Sequence, residues 1–204
     1  MITLLLCVGK LFPALDVLRL AIRDKAVCDY FCGVERGGFF LDFVLPLVKL
    51  NTSGANQQLS LKILCNAFLG GSTGGNWLNE QRQKILSAVA ESTANPADKN
   101  AQIARATLIL NYAVMMNARG VMEDKLPLLY GLAEVMKVPG SVGDDEALFR
   151  ALVTLGTLVA GGGGEELKGY AAALDVKVVG AALSAGSQDD KVKAVWRALE
   201  RDLS

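Results

Sequence analysis

The chain has 204 residues, 51% of them hydrophobic, which is enough to bury one sizeable core. Lys+Arg 21 balances Asp+Glu 21, and with a sequence pI near 6.3 the basic footprint of a general nucleic-acid binder is absent. No histidine is present, which excludes Ser-His-Asp and Cys-His nucleophile activation within the chain and removes the commonest general base.

The first ten residues form a lead-in segment before a domain expected over 11–204. Its apolar opening, Met1 to Val8, lacks a basic stretch ahead of it and soon meets Lys10 and Asp16, so it fits a signal peptide poorly. Helix-length apolar or amphipathic stretches then recur to the C-terminus, punctuated by Gly, Pro, Asn and Ser, with few runs of strand-like alternation. An all-α chain is the expectation. The first helix is ALDVLRLAI. Cys28 and Cys32 follow within one helix face, but four cysteines (Cys7, Cys28, Cys32 and Cys65) with no histidine make a poor zinc set and read as free thiols of a reducing, cytoplasmic or nuclear setting. No metal or cofactor is expected.

Three segments are apolar nearly all round and are expected to be buried between other helices: Leu59 to Leu69, Ala106 to Met116 and Ala151 to Ala160. They align without gaps when Asn66, Asn111 and Gly156 are superposed, at intervals of 45 residues, and the first helix joins with Arg19, 47 residues before Asn66. Leu18, Cys65, Leu110 and Leu155 then stand one position earlier. Ile22, Leu69, Val114 and Val159 stand three later, and Ala14, Leu61, Ala106 and Ala151 five earlier. A period of this length is that of armadillo and HEAT arrays. The predicted fold is therefore an armadillo/HEAT-like right-handed α-solenoid with these helices central, and a four-helix bundle is the alternative.

Amphipathic partners are predicted over Gly38 to Leu50, Trp77 to Glu91, Lys125 to Lys137 and Glu165 to Leu174, with Pro46 and Pro127 expected to break or start a turn. Helix starts are signalled at Asn95-Pro96 and at Asp144-Asp145-Glu146, and by a capping box of Ser187 with Asp190. The last helix should cover the core with Val192, Val195, Trp196, Leu199 and Leu203. The stretch Ala151 to Gly164 is uncharged but too short to span a bilayer, which needs about 20 residues.

The run Gly70 to Asn76 has the glycine spacing of a phosphate loop but carries Asn76 and Trp77 where Lys and Ser/Thr are required, so it reads as a flexible turn. Gly161 to Gly164 reads as a loop. The aromatics Phe39, Phe40, Phe43, Phe68, Trp77 and Tyr112 sit at core-like spacing. The polar residues Arg19, Asn66 and Asn111 occupy one repeat-equivalent position in otherwise apolar helices. A row of that kind suits an extended peptide, because an amide both donates to and accepts from a backbone; equally, each amide serves a helix end within the protein. Arg105 and Arg150 share another repeat position, where a guanidinium either reaches solvent or meets a carboxylate.

The blocks FPALDVLRLAIRD, ANQQLSLKILCNAFLG, ATLILNYAV and ALFRALVTLGTLV resemble, in order and spacing, the successive helices of the PUL domain, found at the C-terminus of phospholipase-activating proteins. The resemblance implies an armadillo-like module that binds the C-terminal tail of the AAA ATPase valosin-containing protein in a basic concave groove, as an adaptor in ubiquitin-dependent protein handling. It places the central arginines of that groove at Arg19, in the LRL block, and Arg150, in the FR-x-LV-x-LG block, with Asn66 and Asn111 in the matching CN and LNY blocks. It does not show catalysis, and the charge balance and the lack of a spanning stretch lead us to expect neither a nucleic-acid nor a membrane partner. The β-propeller and ubiquitin-binding domain that accompany such modules have no counterpart here, nor do the thioredoxin-like or thiol isopeptidase active sites of some fusions. The competing expectations are a structural or dimerisation domain, the PUL portion of such a fusion, and a hydrolase working with carboxylates.

Overall fold

A computed structural model describes residues 11–49, 54–92 and 98–203. The lead-in segment, Cys7 and the Asn95-Pro96 signal lie outside the described residues. Every regular element among those described is helical: α1 (Leu11–Ala21), α2 (Lys25–Cys32), α3 (Gly37–Val48), α4 (Gly54–Ala67), α5 (Ser72–Glu80), α6 (Arg82–Glu91), α7 (Lys99–Arg119), α8 (Met122–Lys137), α9 (Asp145–Val159), α10 (Gly164–Ala173), α11 (Val176–Gly186) and α12 (Asp190–Asp202). Many short helices rather than four long ones remove the bundle alternative. Where the sequence shows no linker, the chain divides into two compact units, Met1–Ser92 and Thr93–Ser204.

In the first unit α4 is the central helix, flanked by α1, α3 and α5, while α2 packs on α3 and α5. In the second unit α7 and α9 lie side by side, and α9 also meets α8, α10 and α12. The predicted central helices hold that position within each unit, and pairing of helices two or three apart along the chain, as α7 with α9, α1 with α4 and α9 with α12, is the habit of armadillo and HEAT arrays. The small or branched positions Ala14, Leu61, Ala106 and Ala151 are all buried, which lets the paired helices approach closely. Leu69 and Val114, expected in the same register as buried Ile22 and Val159, are instead exposed; α4 ends at Ala67, so Leu69 lies beyond its last turn.

Aspartates open the helices. Asp24, Asp98, Asp144 and Asp189 each accept hydrogen bonds from backbone N–H groups that the first turn leaves without partners. The predicted acid start at Asp144 is observed. The predicted Ser187 cap is not: Asp189 caps α12, and Ser187 donates to Asp145 Oδ1 at the start of α9. The predicted amphipathic face of α12 packs on α9 and α11, with Val192, Trp196 and Leu199 buried.

Four further expectations change. The stretch from Trp77 to Glu91 is two helices, broken at Gln81. Pro46 and Pro127 lie inside α3 and α8, each near a helix end where a missing N–H forfeits a single bond. Phe39 is 78% exposed although Phe40 beside it is buried against Trp77. The run Gly70 to Asn76 is no flexible turn, since α5 begins at Ser72 and a methyl on Gly74 would lie 2.1 Å from the Ala67 carbonyl oxygen and 2.8 Å from Cys28 Sγ. Gly70 and Gly74 serve close helix contact. The glycine loop after α9 has a similar use: Lys125, fully buried, donates to Gly162 O at 2.8 Å and Asn117 Oδ1 at 2.9 Å.

Cys28, Cys32 and Cys65 are free and buried. Among the described residues no helix is long and apolar enough to cross a membrane.

Candidate peptide-binding site

Arg19 stands in the last turn of α1, the helix that packs on α4. Its side chain is 29% exposed, and Asp16, one turn earlier, takes its Nε at 2.6 Å. The terminal nitrogens have no partner among the described residues. Behind it, Asn66 donates its amide to the Arg19 carbonyl, a link between two repeat-equivalent residues 47 positions apart. The physical cause is the helix end: Ile22 N–H turns back to Leu18 and Arg23 N–H to Leu20, so no backbone N–H of α1 serves the Arg19 oxygen. The alternative left open for this amide, service to a helix end, is thus what Asn66 Nδ2 performs, while its Oδ1 keeps its accepting capacity.

In the second unit, Arg150 lies in the second turn of α9 with its side chain 30% exposed. Its Nε and Nη2 both lie 2.7 Å from Glu146 Oε1, and its Nη1 donates to the Thr107 hydroxyl on α7. Thr107 in turn donates to Ile103 O at 2.6 Å, which fixes its lone pairs toward the arginine. Asn111, one turn further along α7, is half-buried and already engaged in a contact of its own.

The start of α9 is electrostatically set. Burial pushes the Asp144 carboxyl up, but the Lys99 ammonium at 2.8 Å and the N–H groups of Ala147 and Glu146 outweigh it and hold the carboxyl below its ordinary value. The Asp144 N–H also donates to Gln102 Oε1 on α7, so α9 is anchored to its neighbour at the turn before Arg150.

Arg105 and Arg150, equivalent in sequence, have opposite fates. Arg105 is only 2% exposed, lining a small pocket with Gln102, Ser141 and Thr154, and burial draws its guanidinium down to about 10. Leu132 and Val135 of α8 and the following Val142 cover that face. Arg150 alone of the pair reaches solvent.

The structure therefore places Arg19 with Asn66 in one unit and Arg150 with Thr107 in the other, with Asn111 on the same helix as Thr107. Sequence reasoning missed Asp16, Glu146 and Thr107. The acids were legible as partners one turn ahead of each arginine. Thr107 had no such signal, because its pairing crosses between helices 43 positions apart.

A family model described as the PUL domain matches residues 3–198. The Phospholipase A-2-activating protein of Xenopus laevis is 41% identical over 152 residues, which cover 74% of this chain and 18% of that protein. A designed armadillo repeat protein aligns with a TM-score of 0.43 and 13% identity, over 95% of this chain and 93% of the designed one. With the match running through both units and all four helix blocks, the chain belongs to the PUL domain family, a family of helical protein-interaction modules.

Proposed function

We propose that this module is a non-catalytic adaptor that binds the acidic C-terminal tail of valosin-containing protein, linking that ATPase to ubiquitin-dependent protein degradation in the cytoplasm. Arg19 and Arg150 receive carboxylates of the tail, and Asn66 Oδ1 and Asn111 bind its backbone. The observation that carries the reading is the state of the two arginines: each is held at its Nε by an acid of its own helix, and the side chains stay 29% and 30% exposed. A planar fork of that kind matches a carboxylate.

Calorimetric titration of the full chain with a synthetic tail peptide tests the reading. Losing a charge-assisted contact of this kind costs about 1.5–3 kcal/mol, or roughly ten- to a hundred-fold in affinity. Arg19→Ala and Arg150→Ala should each weaken binding by that factor, and salt should weaken the parent complex. Thermal midpoints should move little, since part-exposed ion pairs are worth under about 1 kcal/mol. Binding by both variants at the strength of the parent would overturn the assignment.

A further inference from the structure

We propose that Asp16 and Glu146 are positioning residues for peptide recognition, each gripping the inner edge of an arginine so that its outer nitrogens are presented to a carboxylate of the ligand. The inference rests on the reading above, and it assigns work to two acids that the reading does not use.

The same device occurs once in each unit. Asp16 lies three residues before Arg19 and accepts from its Nε at 2.6 Å. Glu146 lies four residues before Arg150 and accepts from Nε and Nη2, both at 2.7 Å. Side chains three or four apart on a helix lie one above the other, so both acids reach the guanidinium from the same side of their own helix. Arg150 is held a second time, by Thr107, whose own hydroxyl is tethered to Ile103 O. In both cases Nε is occupied; the terminal nitrogens of Arg19 have no partner among the described residues, while those of Arg150, engaged with Glu146 and Thr107, each carry a second N–H that can take a carboxylate oxygen.

An arginine on a surface samples many rotamers, and ordering it on binding lowers affinity; a guanidinium already fixed avoids that loss. An acid in this position also cancels part of the attraction for an anionic ligand. The two effects oppose one another, and an amide separates them, because Asn or Gln keeps the oxygen that accepts from Nε while removing the charge.

The experiment uses the full chain, the acidic tail peptide as probe, and Asp16→Ala, Asp16→Asn, Glu146→Ala and Glu146→Gln, with thermal midpoints recorded for each. Asp16→Ala and Glu146→Ala should weaken the peptide by about two- to tenfold, as expected for ordering one long side chain on binding. The amide variants should restore affinity to the parent value or above. In the free protein, the Nε–H signals of Arg19 and Arg150 should be protected from solvent exchange relative to that of Arg23, losing protection in the alanine variants and keeping it in the amide variants. Alanine variants that bind as well as the parent or better, or amide variants as weak as alanine, overturn the positioning role while leaving the partner assignment intact. Absence of Nε–H protection in the parent overturns it without reference to any ligand. Failure of the parent to bind the peptide overturns the partner assignment and this role with it.

Discussion

Removing the Asn66 amide tests whether the repeat register is held by a specific hydrogen bond or by packing alone. In Asn66→Ala, the Arg19 carbonyl loses the donor that the end of α1 cannot supply from its own backbone. Asn66 is only part-buried, so water replaces some of what is lost, and the expected cost is that of one neutral hydrogen bond, about 1 kcal/mol within a range of 0.5–1.5. Asn66→Leu separates the contributions, because it restores the side-chain bulk without the donor and should be as destabilised as the alanine variant. Urea unfolding is the assay, read by tryptophan fluorescence. The two tryptophans divide between the units, Trp77 at 3% and Trp196 at 6% exposure, so a Trp196→Phe background reports on the first unit alone. With a urea slope of about 1–3 kcal/mol/M, the midpoint should fall by roughly 0.3–1 M with the slope unchanged. A leucine variant as stable as the parent, or an alanine variant with an unmoved midpoint, would refute the argument.

Two further perturbations address the packing and the helix start. Gly74→Ala places a methyl 2.1 Å from a backbone oxygen that cannot turn aside, and it should destabilise the first unit by about 1–3 kcal/mol or more in the same urea assay, whereas Gly75→Ala, which meets nothing within 4 Å, should not. Asp144 is held below the ordinary carboxylate value, so its contribution is fully present above an unfolded-state pKa of about 3.9 and is lost as pH falls through the lower folded value. Thermal midpoints of the parent should therefore drop below about pH 4. Asp144→Asn, which cannot lose that charge, should start lower at neutral pH and fall less steeply with acid.

Much of the fold was legible because a helix writes its buried face into its own sequence. The apolar blocks at Leu59, Ala106 and Ala151, the acid start at Asp144 and the amphipathic last helix each depend on residues within one or two turns, where the period of 3.6 and the unpaired N–H groups of a helix start act directly. The four blocks and their spacing also sufficed to identify the family, and both arginines with their acids one turn ahead can be read from the chain. Only the tertiary structure decided what covers each face. Arg105 and Arg150 occupy the same place in the repeat, yet one is sealed under α8 and the other reaches solvent. Phe39 and Phe40 are adjacent, but Trp77, 37 residues after Phe40, selects the second for the core. Asn66 reads equally as a ligand contact or as service to a helix end until the Arg19 carbonyl, 47 residues away, is found in front of its amide. Gly70 and Gly74 read as flexibility until Cys28 stands against them. In each case the local pattern fixes that a residue lies on a given side of its helix, while its burial and its partner come from a helix tens of residues away whose approach no local periodicity encodes.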